Sequence, residues 1–265
     1  MSSKINEVIN QQTDVLIVGG GGAGLKAAIA AREKGAAVLL VSKSRAGFGN
    51  NTAIARGAFA ASGGWRDSRD NNTVHEDDTL RSGRFINNAR LVQILARNSP
   101  QQVYDLEKFG VNFIKVEGMY RLGHVPGHTY PRNVGCVELI GTGLSLPMRR
   151  YALGLGTKIL EGVVITRLLK KGETIVGAIG VDGNGQAYCL RAKSTILTTG
   201  GLGQIYQRTN NAAEATGDGY ALAYEVGLPL QDMEFVQFHP TCLSRPGAMS
   251  LVAYEHLVII GGAIL

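Results

Sequence analysis

Three glycines near the amino terminus have the spacing of a phosphate-binding turn. Gly19, Gly21 and Gly24 fit the pattern Gly-x-Gly-x-x-Gly. In this pattern the first glycine permits a tight turn, the second lets the backbone approach a pyrophosphate, and the third lets a helix pack closely on a strand. The first turn of the helix then presents backbone amides and the positive end of its dipole to the phosphates. These residues predict a binding site for a dinucleotide.

The residues around this turn predict the elements that must position it. Val15–Val18 is a short apolar run that predicts a buried strand. Leu25–Lys34 has the apolar spacing of a helix and stops at Gly35, a residue typical of a helix end. Val38–Val41 predicts a second buried strand. The three elements make a βαβ unit of about 30 residues, the size of a dinucleotide-binding unit.

The residues after the second predicted strand leave the type of dinucleotide open. This strand often ends on an acidic residue that binds a ribose, but here the chain has Ser42 and Lys43. Together with Arg45, they could hold the 2′-phosphate of NADP. They could also contact the ribose of another dinucleotide, such as FAD, through hydroxyl and backbone groups. A third interpretation is that Lys43 is merely solvated.

The rest of the chain predicts further strands and helices of an α/β fold. Ile159–Ala192 reads as three antiparallel strands joined by the turns Lys-Gly-Glu and Asp-Gly-Asn-Gly. Further predicted elements are a buried strand at Thr195–Thr199, helices at Leu91–Phe109 and Tyr220–Val226, and irregular segments at Gly47–Gly64 and Leu122–Gly143.

Composition argues against several classes of partner. The net charge of +6 comes from scattered basic residues rather than a Lys/Arg block, so we expect no nucleic-acid partner. No uncharged apolar run approaches membrane-spanning length, and the first residues lack the apolar stretch needed for export, so we expect no direct membrane insertion.

The cysteines and histidines do not form a recognisable metal or disulfide pattern. Cys136, Cys189 and Cys242 lie far apart, as in a protein of the reducing cytoplasm. His124, His128 and Cys136 form an incomplete ligand set, so we expect no metal site.

Longer blocks of sequence resemble one family. The blocks are GGGGAGLKAAIAA from Gly19, Ser42-Lys43, Asn51-Thr52, STILTTGGLG from Ser194 and ATGDGYALAYEVGLPLQDMEFVQFHPT from Ala215. Together they resemble the flavoprotein subunit of the fumarate reductase and succinate dehydrogenase family, whose relatives include L-aspartate oxidase. The resemblance runs from about Asp14 to Thr241. It favours FAD at the glycine turn, because that family also has Ser-Lys after its second strand.

The resemblance implies a fold and a division of the chain. The fold is α/β, a Rossmann-like FAD-binding domain with a parallel sheet and the three-stranded antiparallel excursion. We predict an amino-terminal tail at 1–12, an FAD-binding domain at 13–235 and the beginning of a substrate-capping domain at 236–265. The expectation is that the chain is truncated there, so that the family's proton-donating arginine lies beyond Leu265 and no catalytic residue is assigned.

The resemblance also implies which residues bind FAD. Those for the pyrophosphate are Gly19, Gly20, Gly21, Gly22, Ala23 and Gly24; those along the ribose and flavin are Ser42, Lys43, Asn50, Asn51, Thr52 and Gly57; and Thr199, Gly200 and Asp218 complete the set. Asp218 could equally be a plain N-cap of its helix. Respiratory members attach the flavin through a histidine where this chain has Asn51. An amide lacks a nucleophilic nitrogen, so we predict non-covalent FAD.

The same resemblance implies residues that bind a dicarboxylate substrate, namely Gly57, His239, Thr241 and Glu255. An imidazole such as that of His239 stabilises a carboxylate. Glu255 matches the acid of a Thr-Glu pair, although Tyr254 replaces the threonine. The segment Gly127-His128-Thr129, with Arg132, resembles a Gly-His-Ser segment near the family's active-site mouth.

The implied activity is hydride transfer between the flavin and a dicarboxylate. Electrons would pass to or from an iron-sulfur subunit or another electron-transfer partner. We expect a cytoplasmic location, peripheral to a membrane through partners. The alternatives are a non-catalytic FAD-binding piece of a split multi-subunit assembly, an L-aspartate oxidase-like enzyme and an NADP-dependent dehydrogenase.

Overall fold

A computed structural model describes residues 7–56 and 58–238 of the chain. They fall into two compact units, the first within 1–51 and 155–265 and the second within 52–154. The elements in chain order are β1 (Ile9–Val18), α1 (Gly22–Glu33), β2 (Val38–Ser42), α2 (Asn51–Ile54), β3 (Ala58–Ala60), α3 (Asn72–Ser82), α4 (Ala89–Lys108), β4 (Lys115–Val116), β5 (Met119–Tyr120), β6 (Leu122–Gly123), β7 (Asn133–Gly135), α5 (Thr142–Gly154), β8 (Lys158–Glu161), β9 (Val163–Lys171), β10 (Thr174–Asp182), β11 (Ala187–Leu197), a 3₁₀ turn (Gly203–Ile205) and α6 (Asp218–Glu225).

A six-stranded mixed sheet forms the centre of the first unit, in the order β8-β2-β1-β11-β10-β9. β8, β2, β1 and β11 pair in parallel, whereas β10 and β9 pair in antiparallel fashion. α1 is the crossover between β1 and β2. Because parallel strands end at the same edge of a sheet, the residues that follow β1, β2 and β11 come together there.

β1 is longer than the predicted strand. It begins at Ile9, and residues 9–12, which were predicted to lie in a tail, pair in register with residues 188–191 of β11. Their sequence, Ile-Asn-Gln-Gln, lacks the apolar run that identified Val15–Val18. The tail prediction for these residues therefore differs from the structure because backbone pairing, rather than side-chain burial, places them in the sheet.

The predicted antiparallel excursion is present as β9, β10 and β11. The separate strand predicted at Thr195–Thr199 is wrong, because β11 continues without a break from Ala187 to Leu197. Its first half pairs with β10, and its length from Tyr188 onwards pairs with β1. One strand thus joins the antiparallel excursion to the parallel sheet.

Apolar spacing predicted three of the helices but did not predict all of them. α1, α4 and α6 match the three predicted helices with shifts of two or three residues at their starts. α3 and α5 were not predicted. α3 has a largely polar sequence, and α5 contains Pro147 as well as glycine, so neither has the features that identify a helix by sequence.

The second unit, 52–154, differs from the predicted single domain at 13–235 in being compact by itself. Its small sheets are antiparallel, in the orders β3-β7-β6 and β4-β5, so the predicted irregular segment Leu122–Gly143 contains two short strands. Its apolar core contains Ala61, Val103, Val111, Phe113, Tyr120, Val134 and Cys136.

A completely buried arginine lies in the second unit. Arg132 has no exposed surface, and its Nη2 atom lies 2.8 Å from Asp70 and 2.8 Å from Asp78, both buried. Burial raises the pKa of the Asp70 carboxyl, an effect that Arg132 only partly offsets. For Asp78 burial also raises the pKa, but hydrogen bonds from Thr129 and Arg132 outweigh it and lower the pKa below its ordinary value.

We expect Arg132→Met to destabilise the chain by about 3–5 kcal/mol, because the variant leaves two buried carboxylates without their buried cation. Arg81→Met is the control: Arg81 pairs with the same Asp78 at 3.2 Å, but its side chain is 64% exposed. That change should cost less than about 1 kcal/mol. Urea denaturation of both variants measures the difference. Equal destabilisation would show that burial of the ion pair is unimportant.

Candidate functional site

The glycine turn after β1 leaves no room for side chains. Gly19 has a φ of +119°, and a Cβ there would lie 2.3 Å from the Thr198 carbonyl oxygen. A Cβ on Gly24 would lie 1.9 Å from the Gly19 carbonyl oxygen. Because real Cβ atoms do not approach backbone so closely, these positions require glycine. The turn has the strand-turn-helix setting that the spacing predicted.

The amino terminus of α1 is suited to an anion. Gly21 is the N-cap and, as a glycine, has no side chain of its own to cap the helix, and the first turn contains no acidic residue. α1 is a full helix, so its dipole places positive charge at this end. Of the predicted pyrophosphate contacts, Gly19 and Gly20 precede α1, whereas Gly22, Ala23 and Gly24 form its first turn.

The residues that follow β2 reach α6. Ser42 is the buried last residue of β2. The next residue, Lys43, lies with its Nζ atom 2.7 Å from the Asp218 carboxylate, and it also donates a hydrogen bond to Thr216. This ion pair links the ends of two elements far apart in sequence. Lys43 is therefore not merely solvated.

Asp218 is the first residue of α6 rather than its N-cap. Gly217 is the N-cap, with a φ of +82°, and no side chain caps the helix. The plain N-cap interpretation of Asp218 is therefore wrong, because its carboxylate bonds to Lys43 and Thr216 instead. Burial raises the pKa of the Asp218 carboxyl, but the hydrogen bonds from these two residues outweigh burial and lower its pKa.

The other cation considered for a 2′-phosphate is also engaged. The Arg45 guanidinium lies 4.1 Å from the centre of the Phe48 ring, a cation–π contact. With Lys43 paired to Asp218, neither cation stands unengaged near the end of β2. This arrangement favours a ribose over a phosphorylated ribose at this place.

Of the residues that follow β11, Thr199 is closely packed, whereas Gly200 and Gly201 are not. A Cβ on Gly219 would lie 1.9 Å from Thr199 Oγ1, so Thr199 packs directly on the start of α6. In contrast, Cβ atoms built on Gly200 and Gly201 meet nothing within 4 Å. Gly200 has a φ of +76°, whereas the φ of Gly201 is not in the left-handed region. The backbone at 200–201 thus borders free space.

Asn51 fastens one loop of the first unit. Its Oδ1 accepts a hydrogen bond from the Ala212 backbone amide at 2.7 Å, and its Nδ2 donates to Asn211 Oδ1 at 2.7 Å. The Gln204 side chain donates to the Asn211 carbonyl oxygen at 2.7 Å. Both polar atoms of the Asn51 side chain therefore serve the loop. The neighbouring Asn50 donates to the Phe48 carbonyl oxygen at 3.1 Å.

Several residues of this region were missed by sequence reasoning. Thr198 donates to the carbonyl oxygens of Val18 and Gly19, at 2.9 and 3.1 Å. Thr216, Gly219 and Asn211 make the contacts given above. The repeated small residues in STILTTGGLG and ATGDG could have pointed to Thr198, Thr216 and Gly219, but no pattern pointed to Asn211.

The second unit holds a separate polar cluster around Asp78. Its carboxylate accepts hydrogen bonds from the Thr129 backbone amide at 2.8 Å, the Thr129 hydroxyl at 2.6 Å and Arg132 at 2.8 Å. The predicted segment Gly127-His128-Thr129 is thus tied to α3. The His75 ring is nearly fully buried and lies 6.3 Å from that of His128. Thr52, predicted to contact FAD, lies within α2 of this unit.

Some predicted residues cannot be placed. Gly57, His239, Thr241 and Glu255 lie outside the described residues. Within residues 7–56 and 58–238, the His, Cys, Asp and Glu side chains form no group of three or more that could hold a metal ion. In the same part of the chain, no helix is both long and apolar enough to cross a membrane.

Known proteins resemble this chain over nearly its whole length. Residues 14–262 match the model of a family described as FAD binding domain. A fumarate reductase (CoM/CoB) chain of Methanothermobacter marburgensis is 37% identical over 96% of this chain and 47% of its own length. The L-aspartate oxidase of Agrobacterium fabrum is 35% identical over 91% of this chain and 46% of its own length.

A solved structure shows the same fold. The Mycobacterium smegmatis Sdh1 complex in the apo form matches with a TM-score of 0.90 and 32% identity, over 95% of this chain and 45% of that chain. The chain therefore spans about half the length of the relatives it matches. The resemblance found in the sequence is confirmed.

We predict that Asn51→Ala speeds hydrogen exchange of the Ala212 amide by about tenfold or more, because that amide loses its acceptor. Asn10→Ala is the control, since the Asn10 amide bonds only to nearby backbone and is exposed. Hydrogen exchange of the Ala212 amide, measured by mass spectrometry on the folded variants, tests this prediction. Unchanged protection at Ala212 would mean that Asn51 does not hold the loop.

We predict that stability falls as the pH drops from about 6.5 towards 4. Burial, reinforced by Arg132 and His128, lowers the pKa of His75 to about 4 in the folded chain. The unfolded chain therefore binds the extra proton between these values, and stability is full above about pH 6.5 and declines by about 3 kcal/mol towards pH 4.

Comparison of two histidine variants isolates this effect from that of the carboxylates. His75→Gln should flatten the pH dependence in that window, whereas His124→Gln, at an exposed position, should leave it unchanged. The measurement is urea denaturation at a series of pH values. Parallel curves for His75→Gln and the unmodified chain would contradict the assignment.

Proposed function

The chain belongs to the FAD binding domain family, as the FAD-binding domain of a fumarate reductase or succinate dehydrogenase type flavoprotein, and we propose that it binds FAD non-covalently. The observation that carries the proposal is the glycine turn before α1, in which Gly19 and Gly24 admit no side chain. Such a turn allows a pyrophosphate to approach the backbone, and the helix dipole stabilises its charge.

The residues of the first unit fit the rest of this cofactor. Ser42 and Lys43 follow the strand whose end contacts the ribose in such folds, and Lys43 is held by Asp218. Among the described residues, no atom lies within 4 Å of a Cβ built on Gly200 or Gly201, so a planar ring could approach the backbone closely there. We therefore propose Gly19–Gly24, Ser42, Lys43, Asn50, Thr199, Gly200 and Asp218 as FAD-binding residues. For Thr52 and Gly57 the proposal rests on the family resemblance alone.

The chemistry of Asn51 supports non-covalent attachment of the flavin. A carboxamide has no nucleophilic nitrogen, and both polar atoms of this one are used by Asn211 and Ala212. We propose that the flavin is retained by non-covalent contacts alone. The role of Asn51 is then to hold the loop that contains Asn211.

The activity that we propose for the protein of which this domain is part is oxidation or reduction of a dicarboxylate. The bound flavin would supply hydride chemistry. His239, Thr241, Glu255 and Gly57 would bind the substrate carboxylates, because donors and an imidazole stabilise them. Relatives named fumarate reductase and L-aspartate oxidase support a small carboxylic acid as substrate.

We further propose that electrons reach the flavin through a partner. Relatives named as flavoprotein subunits support an electron-transfer partner, such as an iron-sulfur subunit. The location proposed is cytoplasmic, with any membrane contact made through that partner. The scattered, unpaired cysteines Cys136 and Cys189 agree with a reducing compartment.

We expect the folded chain to take up FAD and become yellow, and acid precipitation should release all flavin into the supernatant. Gly201→Ala should weaken FAD binding by about tenfold, because a methyl group would enter the space assigned to the cofactor. Gly183→Ala is the matched control, since its Cβ also meets nothing within 4 Å but lies in the β10–β11 turn.

Flavin fluorescence quenching measures the affinity of each variant, and thermal denaturation confirms that each is folded. The alternatives give different results. Uptake of NADPH but not FAD would support the dehydrogenase interpretation, and flavin in the acid pellet would contradict non-covalent attachment. Equal affinities of the two glycine variants would refute the assigned position.

A further inference from the structure

A cluster of exposed apolar side chains lies on the second unit. It consists of Phe85, Ile86, Leu91, Ile94 and Leu95, here called the α4 patch, whose exposures range from 48% to 73%. Several large apolar side chains exposed close together in the sequence are candidates for an interaction site, because large apolar patches are uncommon on soluble proteins. Nothing in the proposed FAD function uses these residues, so the inference is independent of it.

The helix part of the patch is a regular stripe. Leu91, Ile94 and Leu95 have the i, i+3, i+4 spacing that places side chains on one helix face. The buried residues of α4 occupy another face, at Val92, Ala96, Ser99 and Val103. α4 therefore has one apolar face packed in its own unit and a second apolar face that no described residue covers.

The turn before α4 holds the aromatic residue outwards in an unusual conformation. Arg84 has a φ of +52° and Phe85 a φ of +62°, the left-handed region, which residues with side chains rarely adopt. Backbone hydrogen bonds hold this turn, from Phe85 to Leu80 at 2.9 Å and from Ile86 to Gly83 at 3.1 Å. Strain of this sort persists where the surrounding structure imposes it and is concentrated at functional places.

The charged residues in the stretch of sequence that contains the patch have one sign. From Thr79 to Tyr104 the sequence has four arginines, Arg81, Arg84, Arg90 and Arg97, and neither an acidic residue nor a lysine. Arg81 pairs with Asp78, whereas Arg84, Arg90 and Arg97 have no ion pair among the described residues. An apolar surface bordered by unpaired arginines is complementary to an apolar surface bordered by carboxylates.

The type of cation favours a protein as the partner. Arginine is enriched in protein interfaces and lysine is depleted, because the planar guanidinium binds a carboxylate through two parallel hydrogen bonds. A second copy of this chain is disfavoured, because a twofold contact through the patch would bring like-charged arginines together. An anionic lipid surface attracts lysine as well as arginine, but the stretch from Thr79 to Tyr104 contains no lysine.

We propose that the α4 patch docks a partner protein whose contact face carries apolar side chains bordered by Asp and Glu residues. Leu91, Ile94, Leu95 and Phe85 fill the apolar part of that face, and Arg84, Arg90 and Arg97 pair with its carboxylates. Desolvated aromatic and arginine anchors of this kind dominate binding at protein interfaces.

The experiment uses the full chain supplied with FAD and a phage-displayed library of random peptides as the probe. The recovered peptides should combine Leu, Phe or Trp with an excess of Asp and Glu. A synthetic peptide of the recovered sequence should bind at least about tenfold more weakly to Arg90→Glu/Arg97→Glu and to Leu91→Ser/Leu95→Ser, as fluorescence anisotropy measures.

Two controls test whether the effect belongs to the patch. Arg167→Glu/Lys171→Glu makes the same change in net charge on the exposed side of β9, and Val137→Ser/Leu139→Ser removes exposed apolar side chains elsewhere in the second unit. Both should bind the peptide like the unmodified chain. Thermal denaturation identifies any variant whose loss reflects misfolding.

Three outcomes overturn the proposal. One is recovery only of peptides that bind equally to the patch variants and the unmodified chain. A second is binding through the patch to vesicles of phosphatidylserine and phosphatidylcholine without recovery of acidic peptides. The third is self-association of the unmodified chain that Leu91→Ser/Leu95→Ser abolishes, as sedimentation velocity measures.

Discussion

The contact between Gly24 and the backbone of Gly19 is the constraint on which the site depends. A Cβ at Gly24 would lie 1.9 Å from that carbonyl oxygen, so only glycine lets α1 begin so close to the end of β1. Thr198, at the end of β11, closes the turn from the other side. The parallel pairing of β1 with β11 and β2 then brings three strand ends to the amino terminus of one helix. That convergence makes a backbone-lined place for a pyrophosphate.

Charge at this edge is balanced within the chain. Lys43 and Asp218 neutralise each other across two elements, and Arg45 stacks on Phe48, so neither Lys43 nor Arg45 is an unengaged cation for an additional phosphate. This separates the two dinucleotides that sequence spacing left open. On the same unit, the Asn51 side chain holds the loop that contains Asn211.

The features that the sequence predicts are those indicated by glycine positions, by apolar spacing or by the sequence blocks shared with the family. The βαβ unit, α4, α6 and the antiparallel excursion follow from such patterns, and so does the position of the glycine turn. Features that depend on distant partners do not follow. α3 is polar because one side is solvated and because its Asp78 forms an ion pair with Arg132. β11 is predicted as two strands because no sequence pattern marks the point where a strand changes its pairing partner. The Lys43–Asp218 ion pair likewise joins residues whose proximity no sequence pattern indicates.

We propose that this edge of the sheet binds a dinucleotide through its pyrophosphate rather than an isoalloxazine ring alone. Calorimetric titration of the folded chain with FAD and, separately, with riboflavin tests it most directly, because riboflavin has the ring but no phosphate or adenosine. We expect saturation by one FAD per chain and much weaker binding of riboflavin. Riboflavin binding as tightly as FAD, or no binding of FAD by folded protein, would contradict it.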